Sequence, residues 1–384
     1  MQKIFYAAVL CTICISAVLT ACRSERPASD VNRVMQPQAA EPAKKTADAP
    51  AVTDTPAAVP TAAAAPAPAD TPSPTAAPKP PDIDYASVRP YEVGQIMIIM
   101  YHGLVQTEAE EDTYQRTVDN FRKDLQTFYD RGFRLISMKD WTENNITTAA
   151  GYTPLILTFD DGKPTSFSLE SKDGKLQPVK DCAVDIMTKF SEAHPDFGNT
   201  AMFFINQNPF KGGGSVAERL QYLVNHGYEI GNHTMDHKQL PKLDADGIQA
   251  QIGGIDKLIK ENIPGYEPYA LSYPYGERPL KANFDYILNG VYAGAAYHYK
   301  IAVREGQSSP ASAVNRVGFD PINVPRVRGS DNQNTDMGWT LRQYESNPEL
   351  RYISDGNPGR IAVPEKFADN VDRDSLKGKE LYIY

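Results

Sequence analysis

Short apolar runs alternate with amphipathic stretches along the chain from residue 85 onward. The runs are typical of buried strands; they cover 96–101, 133–138, 155–159, 201–205, 228–231, 269–273, 293–297 and 323–327. Stretches with the apolar spacing of helices lie between several of them; these fall within 118–131, 182–193, around 220–223, 245–261 and 283–288. Repeated strand–helix units predict an α/β fold with a parallel sheet, closed or nearly closed into a barrel.

The first 21 residues have the pattern of an export signal. Lys3 precedes an apolar run over residues 4–21, and the run ends in Leu-Thr-Ala directly before Cys22. A basic residue, an apolar segment and small residues before a cleavage point are typical of a secretory signal. Because a cysteine follows at once, the segment resembles a bacterial lipobox. We therefore expect an exported protein held in the cell envelope by lipid on Cys22; an uncleaved membrane anchor is the alternative.

Residues 22–84 have the composition of a disordered linker. There are 12 prolines between Pro37 and Pro81, and no aromatic residue occurs between residues 7 and 84. Such a segment cannot bury enough apolar surface to offset its conformational entropy, so we expect an extended stalk. Nearly all the aromatic residues fall in residues 85–384, a length that can bury one large core in a single domain.

The net charge and the cysteine content argue against some partners and against a disulfide-stabilised fold. The formal net charge is −9 at pH 7, which argues against nucleic acid or an anionic lipid surface as the main partner. If Cys11 and Cys14 leave with the signal and Cys22 carries lipid, Cys182 has no cysteine to pair with. We therefore expect no disulfide framework. The sequence carries no signature of an oligomeric state.

Two adjacent carboxylates directly follow one of the predicted buried strands. Residues 155–159 read Leu-Ile-Leu-Thr-Phe and continue into Asp160, Asp161 and Gly162. Ligands collect at the C-terminal ends of parallel strands. Neighbouring residues of an extended chain point in different directions, so the two carboxylates can have different roles. Taken alone, the same pattern is typical of an ordinary Asp-Gly turn.

Two histidines four residues apart follow another predicted strand. Residues 231–237 read Gly-Asn-His-Thr-Met-Asp-His and include His233 and His237. If the chain turns helically from Thr234, both imidazoles project from one face and can bind one ion. A carboxylate of Asp160 or Asp161 would add a third ligand and leave open positions, as at a catalytic metal. One divalent ion is expected there; zinc suits these ligands, and Co, Ni or Fe also fits.

A third segment completes a family pattern. Residues 273–276 read Tyr-Pro-Tyr-Gly at the end of a further predicted strand. Together with Thr-Phe-Asp-Asp-Gly at 158–162 and His-Thr-Met-Asp-His at 233–237, this segment resembles the motifs of the polysaccharide deacetylases of carbohydrate esterase family 4, the NodB-homology domain. The resemblance covers about residues 95–344. It implies a distorted (β/α) barrel that hydrolyses N-acetyl groups with the help of a metal ion.

The resemblance also implies roles for individual residues. Asp161, His233 and His237 would bind the metal. Asp160 would be the general base that takes a proton from water. The backbone N–H of Tyr275 would help to hold the oxyanion, because the proline before it has no N–H to donate.

The chain departs from the family pattern in two places. The family's usual proton donor is a histidine in a late Leu-x-His motif, and no histidine follows His298. His102, in a Met-Tyr-His-Gly segment, is similar to an N-terminal histidine that replaces it in a subgroup, and His298 is the alternative. Ser272 stands where many members have an arginine that orients the base. We predict that Arg326 pairs with Asp160 in its place; the alternative is an Arg326 that faces solvent.

Two further features each allow two interpretations from the sequence. Residues 163–180 are typical of a hairpin inserted after the Asp-Asp-Gly turn, either at the cleft rim or as a surface insertion. Trp339 could pack on a sugar ring or within the core.

The predicted function is metal-dependent removal of N-acetyl groups from N-acetylglucosamine units of an acetylated cell-wall or extracellular polysaccharide. There are two alternatives, an O-acetyl carbohydrate esterase on the same scaffold and a non-catalytic glycan-binding surface lipoprotein. The missing late histidine gives weight to both. The esterase alternative gains weight because a leaving alcohol needs less help from an acid than a leaving amine does.

Overall fold

The computed structural model of the chain describes residues 83–306 and 310–384. The predicted signal segment, Cys22 and the predicted linker up to residue 82 lie outside these ranges. Across the described part of the chain, no helix combines the length and apolar character needed to cross a bilayer.

The described residues form helices and strands in alternation. The strands are β1 (Gln95–Tyr101), β2 (Gly103–Val105), β3 (Gln115–Thr117), β4 (Phe133–Leu135), β5 (Thr153–Phe159), β6 (Leu169–Lys172), β7 (Lys175–Pro178), β8 (Met202–Ile205), β9 (Glu229–Asn232), β10 (Ala270–Ser272), β11 (Asn289–Tyr292), β12 (Ala295–His298), β13 (Ile301–Glu305), β14 (Ala311–Ser312), β15 (Val324–Arg328), β16 (Arg360–Val363) and β17 (Glu380–Ile383). The helices are α1 (Tyr85–Val88), α2 (Val118–Asp130), α3 (Met138–Thr142), α4 (Ala183–Ala193), α5 (Val216–Asn225), α6 (Ala245–Asn262), α7 (Asp285–Leu288) and α8 (Met337–Ser346).

Within the described residues, seven parallel strands close into a barrel. Their order is β1–β15–β13–β10–β9–β8–β5, and β5 pairs again with β1. Met100 on β1 is therefore in register with both Arg328 on β15 and Thr158 on β5. Helices α4, α5 and α6 each precede or follow a barrel strand in the chain. The predicted distorted (β/α) barrel is confirmed.

Helix α2 forms where apolar residues recur at helical spacing and a capping residue precedes the first turn. In α2, Phe121, Leu125 and Phe128 are buried on one face, and Thr117 Oγ1 accepts the N–H of Asn120 at the helix start. Such a cap satisfies a backbone donor that the first turn leaves unpaired. The strand β5 is buried along its whole length, as expected for a barrel strand covered on both faces.

The structure corrects the predicted strands in three places. The small strand predicted over 293–297 is present as β12, but it pairs antiparallel with β11 in a separate two-stranded sheet and is not part of the barrel. The barrel strand of this region is β13, which the apolar pattern did not indicate. The strand predicted over 133–138 ends at Leu135, because Ser137 caps α3 by accepting the N–H of Asp140.

The segment expected to form an inserted hairpin contains β6 and β7, which pair antiparallel. Its turn is formed by Asp173 and Gly174, both with positive φ. This is the conformation that two-residue hairpin turns require, because their twist then matches that of the strands.

A small parallel pair, β16 and β17, packs near the start of β1 and surrounds the buried Glu92. Glu92 Oε2 accepts the N–H of Ala362 at 2.8 Å, and Oε1 accepts the N–H of Asp355 at 3.1 Å and the hydroxyl of Tyr352 at 3.2 Å. A buried carboxyl group is thus part of the framework at the end of the barrel where the strands begin.

Candidate active site

The polar residues singled out from the sequence meet at the C-terminal ends of the barrel strands. All seven line one cavity of about 230 Å³; they are His102, Asp160, Asp161, His233, His237, Tyr275 and Arg326. His102, the aspartate pair, the histidine pair and Tyr275 follow four different strands, and Arg326 lies within a fifth, β15. The parallel barrel is what brings segments more than 200 residues apart in sequence to one edge.

Asp161, His233 and His237 form a group that can hold one metal ion. Their candidate ligand atoms lie within 4.8 Å of one another. Asp161 Oδ1 is 3.5 Å from His233 Nε2 and 3.7 Å from His237 Nε2. Ligand atoms around a tetrahedral zinc ion with bonds of about 2.0–2.2 Å are about 3.4 Å apart, so the spacing fits such an ion.

The orientation of His233 also fits metal binding. The Nδ1 atom of this buried ring lies 2.9 Å from the carbonyl oxygen of Ser272, the position of an N–H donor to that oxygen. When Nε2 gives up its proton, as metal binding requires, its lone pair lies on the side of Asp161. Ligand histidines in metal sites are commonly oriented by such a second hydrogen bond.

The histidine pair is not on a helix, although the sequence interpretation required a helical turn from Thr234. Thr234 has φ 65° and His237 has φ 53°, so the chain reverses through two left-handed residues. The backbone of Thr234 is held by Asn232 Oδ1, which accepts its N–H, and by Asn206 Nδ2, which donates to its carbonyl oxygen. A left-handed conformation is unusual for a β-branched residue, and such strain is concentrated at functional sites.

Arg326 pairs with Asp160, as predicted. Its Nη1 lies 2.7 Å from Asp160 Oδ1 and its Nη2 lies 2.6 Å from Oδ2. Ser272 Oγ donates to Oδ2 at 3.1 Å and accepts from Arg326 Nη2 at 2.8 Å. Burial alone would raise the pKa of Asp160, but the charge of Arg326, with that of His233, outweighs burial and holds the pKa at about 2. The carboxylate is therefore ionised and fixed in direction.

Asp161 is held in the ionised form by a different set of neighbours. Burial would raise its pKa, but the hydrogen bond and charge of His233, followed by the charges of His102 and Lys163, keep it well below its usual range. Asp161 has φ 70°, in the left-handed region. Arg326 and Ser272 bond Asp160, whereas Asp161 lies beside His237 and Lys163. His233 Nε2 is near both carboxylates, 3.7 Å from Asp160 Oδ2 and 3.5 Å from Asp161 Oδ1.

His102 lies in the same cavity, on the side of β1. Its ring stands edge-on to Tyr114, with ring centroids 5.3 Å apart. Among the described residues, its buried Nδ1 atom has no hydrogen-bond partner. Burial lowers the pKa of His102, and the charges of Asp160 and Asp161 oppose this only in part. The alternative, His298, is exposed on β12 and bonds Asn289.

Tyr275 lies at a sharp turn beside the metal ligands. Its φ is 58°, within the Tyr-Pro-Tyr-Gly segment that follows β10. The side chain is 58% exposed, and its ring contacts that of His237 with centroids 4.6 Å apart. The turn therefore presents both a backbone segment and an aromatic face to the cavity.

The family model for polysaccharide deacetylase matches residues 149–290. The chain contains a polysaccharide deacetylase domain. The match includes the aspartate pair, the histidine pair and the Tyr-Pro-Tyr-Gly turn; His102 and Arg326 lie outside it.

Two curated relatives and one solved structure are similar to parts of the chain. The chain is 28% identical over 121 residues to a chitin deacetylase of Arthroderma benhamiae, covering 32% of this chain and 27% of the relative. It is 26% identical over 121 residues to a peptidoglycan-N-acetylglucosamine deacetylase of Bacillus cereus, covering 32% and 36%. The Streptococcus pyogenes deacetylase PplD, solved in complex with acetate, is 18% identical with a TM-score of 0.48, covering 65% of this chain and 98% of that one. The chain thus spans about a third of the length of the curated relatives it matches.

The cavity is lined by further residues that the sequence did not indicate. Tyr114, before β3, donates its hydroxyl hydrogen to Glu305 Oε1 at 2.8 Å. Glu305 ends β13, and Arg328 Nη1 donates to the same oxygen at 3.1 Å. No motif marks Tyr114. The only signal for Glu305 was its place at the end of a short apolar run, Ile-Ala-Val, before a glycine. Trp339 lies on α8 and is not among the residues that line this cavity.

Proposed function

We propose that the deacetylase domain is a metal-dependent hydrolase that removes N-acetyl groups from N-acetylglucosamine units of a cell-wall or extracellular polysaccharide. One observation carries this proposal. A carboxylate held ionised by Arg326 lies next to a group of three ligands suited to one divalent ion. Amide hydrolysis needs a base for water and an electrophile for the carbonyl group, and the cavity offers residues for both.

The cavity residues have separate roles in the proposed reaction. Asp161, His233 and His237 would hold the ion, which when bound makes its water more acidic and polarises the acetyl carbonyl group. Asp160 takes a proton from the attacking water. The backbone N–H of Tyr275 hydrogen-bonds the oxygen that becomes negatively charged.

His102 would give a proton to the leaving nitrogen of the sugar. It lines the same cavity as Asp160, and no other histidine of the described ranges does so apart from the two metal ligands. In this arrangement the base and the acid come from adjacent strands, β5 and β1, on one edge of the barrel.

A second candidate function is an O-acetyl carbohydrate esterase. The observation in its favour is the environment of His102, whose Nδ1 lacks an acceptor among the described residues and whose pKa is lowered by burial. A leaving alcohol is a better leaving group than an amine and needs less protonation, so such a histidine suits ester cleavage as well.

The deciding experiment measures acetate release from peptidoglycan, poly-N-acetylglucosamine and acetylxylan, each with and without a chelator. Chelator-sensitive release from either of the first two supports the proposed function. Release from acetylxylan alone would favour the esterase. No chelator-sensitive release from any of them would support a glycan-binding protein without catalytic activity.

We also propose that the chain is exported and attached to the bacterial envelope through lipid on Cys22. The support is the Leu-Thr-Ala-Cys ending of the apolar segment at the start of the chain. Cys22→Ser should move the protein from the membrane fraction to the soluble fraction of cells that express it. Unchanged membrane attachment of this variant would show that the anchor is not lipid on Cys22.

A further inference from the structure

One wall of the active-site cavity is a chain of paired polar groups. Asp336 accepts from Arg328 Nε at 2.7 Å, Arg328 Nη1 donates to Glu305 Oε1 at 3.1 Å, and Tyr114 donates to the same oxygen at 2.8 Å. Asp336 and Arg328 are buried, whereas Tyr114 is 42% exposed. The deeper pair anchors the carboxylate of Glu305, and the carboxylate in turn holds Tyr114 at the cavity edge.

Among residues 83–306 and 310–384, no side chain or backbone group hydrogen-bonds the second oxygen of Glu305, Oε2. Both of its side-chain hydrogen bonds within the described ranges use Oε1. The side chain is 20% exposed and lines the cavity that contains Asp160 and the metal ligands. Arg328 is shared between the carboxylates of Asp336 and Glu305, so Glu305 keeps negative charge that strengthens a hydrogen bond accepted from a hydroxyl group.

The position of Glu305 is fixed tightly against the Tyr275 turn. A Cβ atom added at Gly276 would lie 2.9 Å from the Cβ atom of Glu305, so only glycine allows this approach. The exposed rings of Tyr275 and Tyr114 therefore belong to two segments that both contact Glu305. Aromatic faces pack on the apolar faces of pyranose rings, while carboxylates accept hydrogen bonds from sugar hydroxyl groups.

We propose that Glu305 is a specificity-determining residue, whose Oε2 accepts a hydrogen bond from a hydroxyl group of the hexopyranose carrying the acetyl group, with Tyr114 held beside it as a wall of the sugar site. This inference rests on the proposed function, because it names how that same cavity recognises its sugar.

The test separates sugar binding from turnover. Isothermal titration calorimetry with the Asp160→Asn protein measures the Kd of tetramers of β-1,4- and β-1,6-linked N-acetylglucosamine. Adding Glu305→Gln should weaken binding about ten- to a hundredfold, since a charge-assisted hydrogen bond is lost. In the protein that retains Asp160, Glu305→Gln should raise KM for the tetramer by a similar factor and change kcat by less than about threefold, as expected for uniform binding.

Two further variants make the result specific. Tyr114→Phe keeps the ring and removes its tether to Glu305, so it should weaken binding in the same direction by a smaller factor. Glu345→Gln removes a carboxylate of the same kind on α8, where it pairs with Arg131 away from the cavity, and should leave Kd and KM unchanged. Glu305→Gln should still fold, because Arg328 keeps its bonds to Asp336 and Gln333.

The outcomes distinguish this inference from the proposed function. An unchanged Kd and KM in Glu305→Gln overturns the inference even if the unaltered protein releases acetate. If the unaltered protein releases no acetate but Glu305→Gln weakens tetramer binding, the proposed function fails and the inference stands. If neither the tetramers nor peptidoglycan is bound or deacetylated, both are wrong.

Discussion

Arg326 holds Asp160 with both terminal nitrogens of its guanidinium group, at 2.7 Å and 2.6 Å from the two carboxylate oxygens. The two residues come from β15 and from the end of β5, on either side of β1. Ser272, where the family resemblance predicts an arginine, bonds both partners. The positive charge beside Asp160 is thus supplied from another strand, β15.

The first prediction concerns this pair. Arg326→Ala should lower kcat/KM at pH 7 by at least about a hundredfold and shift the acid limb of the pH–rate profile to higher pH, because the buried Asp160 loses the charge that keeps it ionised. Arg326→Lys should have a smaller effect, since lysine restores the charge without the two-point contact. The measurement is kcat/KM for acetate release between pH 5 and 9.

The control is Arg122→Ala, which removes an exposed arginine paired with Asp119 and Asp181. Exposed pairs contribute about 0–1 kcal/mol, so this variant should keep the normal profile. An unchanged pH–rate profile in Arg326→Ala would exclude Arg326 from the mechanism.

The second prediction separates the roles of the two aspartates. Asp160→Asn should abolish turnover and leave the protein able to bind one divalent ion, because Asp161, His233 and His237 remain. Asp161→Asn should weaken the affinity for that ion at least about tenfold, since a neutral amide replaces a charged ligand. Equilibrium dialysis with metal analysis checks both. Equal metal loss in the two variants would contradict this division of roles.

The third prediction concerns His102 as the acid. His102→Ala should lower kcat for an N-acetylated sugar by about 10²–10⁴-fold, the usual contribution of a positioned acid, and lower the rate for an aryl acetate much less. The reason is that a phenolate leaves without a proton, whereas an amine does not. Parallel assays of the two substrates, together with the metal content of the variant, provide the measurement.

His298→Ala is the matched control, because His298 is exposed on β12 and bonds only the neighbouring hairpin strand through Asn289. It should keep both activities. If His102→Ala lost the amide and ester activities equally while binding metal normally, His102 would have a role other than protonation of the leaving group.

The fourth prediction concerns stability and pH. Burial and the neighbouring Asp355 raise the pKa of Glu92 to about 8. The folded state therefore keeps the proton over a range in which the unfolded chain has lost it. The free energy of unfolding should fall as the pH rises from about 4.5 to about 8, by up to about 4 kcal/mol across the range.

Glu92→Gln should flatten this dependence, because the amide does not titrate, even if it lowers stability at pH 5 through weaker hydrogen bonds. Urea unfolding at several pH values measures the slope. Glu345→Gln, which replaces an exposed carboxylate, should leave the slope as it is. A slope that is the same with and without Glu92 would show that other groups cause the pH dependence.

The sequence predicted the parts of the site that lie next to regular apolar patterns. The buried run of β5 located Asp160 and Asp161, and the short strand β9 located His233 and His237. In each case the polar residues directly follow a strand, so the barrel alone places them at one edge. The partner of Asp160 was also predictable, because Arg326 lies within a run of strand-forming residues near another strand end.

Other parts of the site depend on contacts that local patterns do not encode. The turn at Thr234 was expected to be helical, but Asn232 and Asn206 bond its backbone in a left-handed conformation. The strand β13 was missed because only Ile301, Ala302 and Val303 are buried in it, and because the predicted strand before it proved to be part of a hairpin. Glu305 was missed along with its strand.

The order of these elements along the chain has a consequence for biosynthesis. All three metal-binding candidates are present once residue 237 has been made, but the closing strand β15 and Arg326 follow almost 90 residues later. Pairing β15 with β1 joins segments more than 200 residues apart, a non-local contact that forms late in folding. A nascent chain can therefore contain Asp161, His233 and His237 while Asp160 still lacks the charge of Arg326. The proposed activity would then arise only when the last barrel strand is added.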